Sequence, residues 1–174
     1  KSIGGITDFK YFTGLKTLYL GDNNITDISV IAGLANLTHL ELYNNNITDI
    51  SPLASLTKLT NLRVNSNKIT NIDALSGLVN LVELDLSQGT RVNQSAMTKI
   101  TNINALAGMT KLETLQLSKN NIIDITPLKN LTKLTNLQLD DNKIADLSPL
   151  NGLTKLKDLN LDKNQISDLT PLAN

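Results

Sequence analysis

Cysteine is absent from this chain, so neither a disulfide framework nor a thiolate metal site is available, and the redox compartment is left open. A disulfide-capped secreted solenoid of animal type is disfavoured for the same reason. Histidine occurs once, at His39, which excludes multi-histidine metal sites. Aromatic residues make up only 3% and tryptophan is missing, so any core must be built from Leu and Ile. Lys+Arg and Asp+Glu both number 16, and this balance argues against a nucleic-acid binder, which shows a basic excess or stripe. No apolar run approaches the roughly 20 residues needed to span a bilayer. There is no start Met or signal peptide at Lys1, so the expectation is a processed or excised segment of a longer protein.

What is present is a repeat. The stretch LTNLQLDDNKIADLSPLNGLTK, residues 134–155, returns along the whole chain. Copies start at Leu15, Leu37, Leu59, Leu81, Leu112, Leu134 and Leu156; five of the six steps are 22 residues and the fourth is 31. A fixed period of this length marks a solenoid. The expected organisation is one repeat domain over 1–174, with a half repeat at 1–14 and a long repeat starting at 81. Apolar Ile3, Ile6, Phe9 and Phe12 read as the return half of a repeat lacking its strand, and the chain stops just before another strand-starting Leu is due. Solenoids need polar caps. None is visible, so the parent protein is expected to continue in both directions.

Each copy contains a stretch such as Thr135–Leu139 that alternates polar and apolar, the period of a half-buried strand. One such strand cannot bury its apolar face alone. Stacked copies pair in parallel, about 4.8 Å apart, and close a continuous core. Asn23, Asn45, Asn67, Asn120, Asn142 and Asn164 form a column after the strand, with Gly89 in that place in the long repeat. A buried amide there satisfies backbone groups that the sharp turn leaves unpaired. Asn93 is a candidate for the vacant place. All four prolines, Pro52, Pro127, Pro149 and Pro171, follow Ser or Thr. This pairing predicts a hydroxyl N-cap with Pro at the first helical position, opening a short 3-10 turn. Gly33, Gly77, Gly108 and Gly152 share a column near the end of that turn, where a left-handed residue is expected.

The motifs ITDISPLASLTKL (47–59), IIDITPLKNLTKL (122–134) and IADLSPLNGLTKL (144–156) resemble the leucine-rich repeats of the internalin type, found in surface and secreted proteins of Gram-positive bacteria. The resemblance covers essentially the whole chain. It implies an α/β solenoid: a right-handed curved coil with a parallel sheet on the concave face and mostly 3-10 turns on the convex face. It also implies a non-catalytic module, extracellular or attached to the cell wall, that binds a protein ligand such as a host surface protein on the concave face, without a cofactor. The chain departs from the family in lacking its helical N-terminal cap and immunoglobulin-like C-terminal domain, and in carrying the long repeat. Similar repeats occur in intracellular phosphatase regulators, so a cytoplasmic scaffold is an alternative, and a structural spacer is another.

The outward columns follow from strand alternation. Tyr19, His39, Glu41, Tyr43 and Arg63 gather at the N-terminal end, and Tyr and Arg are enriched at interface hot spots. Asp85 and Arg91 extend this candidate protein-binding set towards the long repeat. Such columns are exposed whatever the function, so the cluster also reads as freely varying solvated positions. Asp140, Asp141, Asp158 and Asp162, with Glu83 and Asp85, form a second feature; even rung spacing and nearby Lys143 and Lys163 favour a solvated acidic patch over a Ca²⁺ site. The insertion SQGTRVNQSAMTK, between Leu86 and Ile100, reads as a loop at the edge of the binding face or as a tolerated extension. Sequons at Asn24, Asn36, Asn46, Asn93 and Asn130 follow from an Asn- and Thr-rich consensus.

An enzyme is not expected. His39 has no serine near it on the same strand face, and there is no Gly-rich phosphate loop. The paired carboxylates are expected on an open sheet, with nothing to raise a pKa by burial.

Overall fold

Each repeat contributes one three-residue strand. In the computed structural model, which describes residues 11–89 and 99–173, these are β1 (Thr17–Tyr19), β2 (His39–Glu41), β3 (Asn61–Arg63), β4 (Glu83–Asp85), β5 (Thr114–Gln116), β6 (Asn136–Gln138) and β7 (Asp158–Asn160). They form one parallel sheet in sequence order. Every pair is in the same register: Leu18 faces Leu40, Leu40 faces Leu62, and so on to Leu137 and Leu159. The return half of each repeat carries a 3-10 turn, from Ser29–Gly33 and Ser51–Ser55 through Thr170–Leu172. This is the expected leucine-rich repeat solenoid. The core is a stack of Leu and Ile between the sheet and the turns, with Leu40, Leu62, Leu115 and Leu137 fully buried.

The asparagine column joins consecutive rungs. Asn67 Nδ2 donates to Val64 O of its own turn (2.9 Å) and to Leu42 O of the preceding repeat (2.9 Å), and its Oδ1 accepts from Ile47 N (3.0 Å). Asn45, Asn142 and Asn164 make the same three kinds of bond. Across the long repeat the ladder is rejoined: Asn120 reaches Leu86 O (3.2 Å) and accepts from Ile100 N (3.1 Å). The chain keeps the regular path as far as Gln88, whose N–H donates to Ser118 O (3.0 Å), and follows it again at Ile100, whose O accepts from Asn121 N (2.9 Å). β4 and β5 therefore pair in register although their repeats are offset by 31 residues. Asn93 lies outside the described residues.

Two local expectations are corrected. The Ser and Thr hydroxyls do not cap the 3-10 turns; apolar residues such as Ile50 and Ile125 hold the cap position and make no side-chain cap bond. An Asp or Asn two residues before the turn does the work instead, as an Asx turn. Asp49 Oδ1 accepts from Ser51 N (2.8 Å), and Asp27, Asn71, Asn102, Asp124, Asp146 and Asp168 repeat the bond. The Ser51 hydroxyl is a donor, to Asp49 Oδ2 (3.0 Å). These bonds hold Asp27, Asp124 and Asp168 below the ordinary carboxylate range. Their contribution to stability is present above the ordinary pKa and is lost as pH falls through the lowered one.

The second correction concerns handedness. None of Gly33, Gly77, Gly108 and Gly152 has a positive φ. The left-handed position is the residue just before the asparagine column: Asp22, Asn44, Ser66, Lys119, Asp141 and Lys163, with φ between 53° and 61°. That kink turns each strand into the interior and brings the amide against the backbone. It occurs at non-glycine residues because the ladder holds it on both sides, offsetting the strain.

Asn67→Ala removes three bonds to buried backbone groups and leaves Ile47 N–H without its acceptor. The variant is expected to lose about 2–4 kcal/mol of unfolding free energy in urea titration, well above the effect of the same change at exposed Asn24.

Candidate protein-binding face

The residues flanking the buried central Leu of each strand point out of the sheet. Register then fixes three outward columns. One runs from Thr17 and His39 to Asp158; the next from Tyr19, Glu41, Arg63 and Asp85 to Asn160. The third, two residues beyond each strand, continues the ladder through Gly21, Tyr43 and Asn65, with Asp22 N donating to Tyr43 O (3.0 Å) and Asn44 N to Asn65 O (3.0 Å).

At the N-terminal end these columns bring together most of the residues singled out in the sequence. Arg63 is the hub. Its Nη1 lies 3.6 Å from Glu41 Oε1, and its guanidinium carbon sits 5.5 Å from the centroid of the Tyr43 ring. The exposed ion pair contributes little stability. Its effect is to orient the guanidinium over the ring, a cation–π arrangement. Tyr43 in turn reaches over the preceding rung: a Cβ on Gly21 would stand 2.4 Å from the ring, so a larger residue there would make the ring swing aside. Tyr19, one column over, is 66% exposed. His39 is exposed beside Thr38, with Thr38 Oγ1 and His39 Nδ1 2.9 Å apart. Arg91 lies outside the described residues.

Asp85 departs from expectation. It occupies an outward column, directly opposite Arg63 in register, yet it is only 6% exposed. Burial pushes its carboxyl above the ordinary range, against the opposing effects of hydrogen bonds from Ser87 and the charge of Arg63. Oδ1 accepts from Ser87 N (3.0 Å) and Ser87 Oγ (2.6 Å). The face is therefore not uniformly open, and a carboxylate pKa is raised by burial on it. Asp85 lines a pocket of about 250 Å³ with Arg63, Glu83, Leu84, Thr114 and Gln116. Sequence reasoning missed Thr114 and Gln116 as site residues; their only signal was their place in the columns beside Glu83 and Asp85. At the other end, Ser118 Oγ donates to Asp140 Oδ1. Among the described residues no three His, Cys, Asp or Glu side chains converge as metal ligands would.

The raised pKa means that the neutral form of Asp85 favours folding. Its contribution is fully present below the ordinary value of 3.8 and is lost as pH rises through the raised one. Asp85→Asn keeps an acceptor for Ser87 and removes the buried charge. It is expected to stabilise the protein by about 1 kcal/mol at pH 7, and thermal melts at falling pH should show the gain shrinking as the native carboxyl takes up its proton.

Comparison with known proteins places the architecture. A model of leucine-rich repeats in two copies matches residues 13–55 and 132–174, and a further leucine-rich repeat model matches 108–124. No curated protein matches the chain. Among solved structures, internalin C2 of Listeria monocytogenes is 40% identical with a TM-score of 0.87, over 100% of this chain and 73% of its own. The internalin InlF of Listeria monocytogenes is 32% identical with a TM-score of 0.60, over 99% of this chain and 61% of its own. The functional domain of InlJ from the same organism, which includes a cysteine ladder, is 30% identical with a TM-score of 0.72, over 98% of this chain and 40% of its own. This chain thus spans less than two thirds of the InlF and InlJ chains. Among the described residues no helix is long and apolar enough to cross a membrane. With the rungs, the register and the likeness to internalin C2 all in agreement, the chain belongs to the internalin-like leucine-rich repeat proteins, a group of protein-interaction scaffolds.

Proposed function

We propose that this chain is the recognition module of a Gram-positive bacterial surface or secreted protein, a single repeat domain over 1–174 that binds a protein ligand without catalysis on the outer face of its sheet. The observation that carries the reading is the Arg63–Tyr43–Gly21 stack with exposed Tyr19 beside it. Glu41 Oε1, 3.6 Å from Arg63 Nη1, biases the guanidinium towards this arrangement. A rigid aromatic and guanidinium surface loses little entropy on binding, which is how a small patch comes to dominate an interface. His39 and Asp85 flank the patch, and Arg91, in the insertion of the long repeat, is taken as a further contact. An extracellular or wall-associated location is supported by the likeness to Listeria internalins, and a host surface protein is the ligand class that fits it.

Pull-down with the whole chain as bait tests the reading. Tyr43→Ala and Arg63→Glu are each expected to weaken retention of the ligand by about 2 kcal/mol, roughly thirtyfold, with unfolding curves close to those of the parent. Tyr19→Ala should have a smaller effect in the same direction. Unchanged retention in all three variants would leave the repeat as a spacer.

A further inference from the structure

The whole chain is electrically neutral, but its strand face is not. Across seven rungs the three outward columns hold six carboxylates (Glu41, Glu83, Asp85, Asp140, Asp158 and Asp162) and one basic residue other than His39, Arg63. The face carries a formal charge of −5. The rest of the chain then holds fifteen cationic side chains against ten anionic ones, +5. No lysine occupies any of the outward columns, although lysines are frequent on the turns and loops. Segregation of this kind sets the sign of the partner that the face attracts and rejects.

Within the face, the pocket beside β3, β4 and β5 has the chemistry to seat one cationic group. Leu84 supplies an apolar surface, Thr114 and Gln116 polar ones, and Glu83 and Asp85 stand two residues apart on the same side of β4. Arg63 borders the pocket and offsets only part of the charge of Glu83 and Asp85. Its guanidinium is drawn back to Glu41 on the preceding rung and to the Tyr43 ring. Asp85 is 94% removed from solvent and lines the pocket, and among the described residues its hydrogen bonds come from Ser87, both at Oδ1. A largely buried carboxylate with a second one, Glu83, lining the same pocket gains from an incoming cation.

Building on the recognition role above, we propose that the protein ligand presents a basic segment to the strand face and inserts one lysine or arginine side chain into the pocket of Glu83 and Asp85. The aliphatic stem lies along Leu84 and the charged head meets the two carboxylates. Acidic Asp140, Asp158 and Asp162 further along the face steer the rest of the segment. Tyr19, Tyr43 and Arg63 supply the aromatic contacts next to it.

The test uses the whole chain and a blocked octalysine peptide as probe, followed by amide NMR. Shifts are expected at β3, β4 and β5, with at least about tenfold weaker binding for the Glu83→Gln, Asp85→Asn double variant and a steep loss between about 50 and 500 mM salt as the charges are screened. Octaglutamate should produce no shifts on the face. Octalysine shifts on the strand face that the double variant leaves unchanged would overturn the pocket while leaving a strand-face recognition role standing. Octalysine shifts confined to the turns, or octaglutamate binding the face as well as octalysine, would overturn the inference of a basic partner; loss of ligand retention in the Tyr43 and Arg63 variants decides the recognition role separately. Saturation of the same residues by CaCl₂ at lower concentration than the peptide would replace the lysine with a metal ion and overturn the proposal. A melting curve of the double variant, expected at or above that of the parent chain, shows that any loss of binding is not loss of fold.

Discussion

The structure depends on how a chain that turns back into its own core satisfies its backbone. A strand of three residues leaves the sheet through a left-handed kink, and the N–H and C=O groups around that kink are removed from water. Unpaired, each would cost free energy on the scale of a lost hydrogen bond or more. The asparagine amide meets the demand on both sides of a rung, donating to carbonyls of two repeats and accepting from one N–H. Because one side chain serves two repeats, no repeat is satisfied alone. Stability is held at the junctions between neighbours, as in other linear arrays.

That ladder is what leaves the outer columns free. The inward Leu positions, the kink and the amide recur along the stack, while residues such as Tyr19, Glu41, Arg63 and Asp85 share a column but no side-chain type common to all. The scaffold thus presents a ruled surface on which charge and shape vary without disturbing the fold. The Arg63–Tyr43–Gly21 stack uses three consecutive rungs in this way, and its glycine is explained by the ring above it rather than by backbone conformation.

Much of this was legible in the sequence because the repeat averages out local ambiguity. Seven copies set the strand register to the residue, and the asparagine column is readable from its spacing alone as a buried amide ladder. Single-residue chemistry read less well. The hydroxyl before each proline resembles an N-cap, but the Asp or Asn two residues earlier reaches the same N–H first and turns the hydroxyl into a donor. The glycine column suggested the left-handed position, which instead falls on Asp22, Asn44 and Lys119, residues with no shared side-chain type. Their conformation is imposed by the inter-rung bonds around them, which propensity does not register. Burial of Asp85 was invisible for a related reason: alternation states which way a side chain points, not how closely its neighbours cover it.

The fourth rung is where these lines meet. There the period lengthens, and Gly89 stands in the asparagine column; a Cβ on it would come within 2.4 Å of Ser66 Oγ. There too the rule of complete backbone and side-chain satisfaction lapses. Among the described residues Gln88 Oε1 and Asn65 Oδ1 are buried with no hydrogen-bond partner, and Asp85 keeps a carboxylate in low dielectric. Each of these is unfavourable for folding, and their concentration on adjacent rungs contrasts with the fully bonded ladder on either side. Departures from an otherwise consistent pattern collect where a protein acts. In this solenoid the regular copies hold the face in shape, and the irregular one supplies acceptors that the fold leaves unmatched.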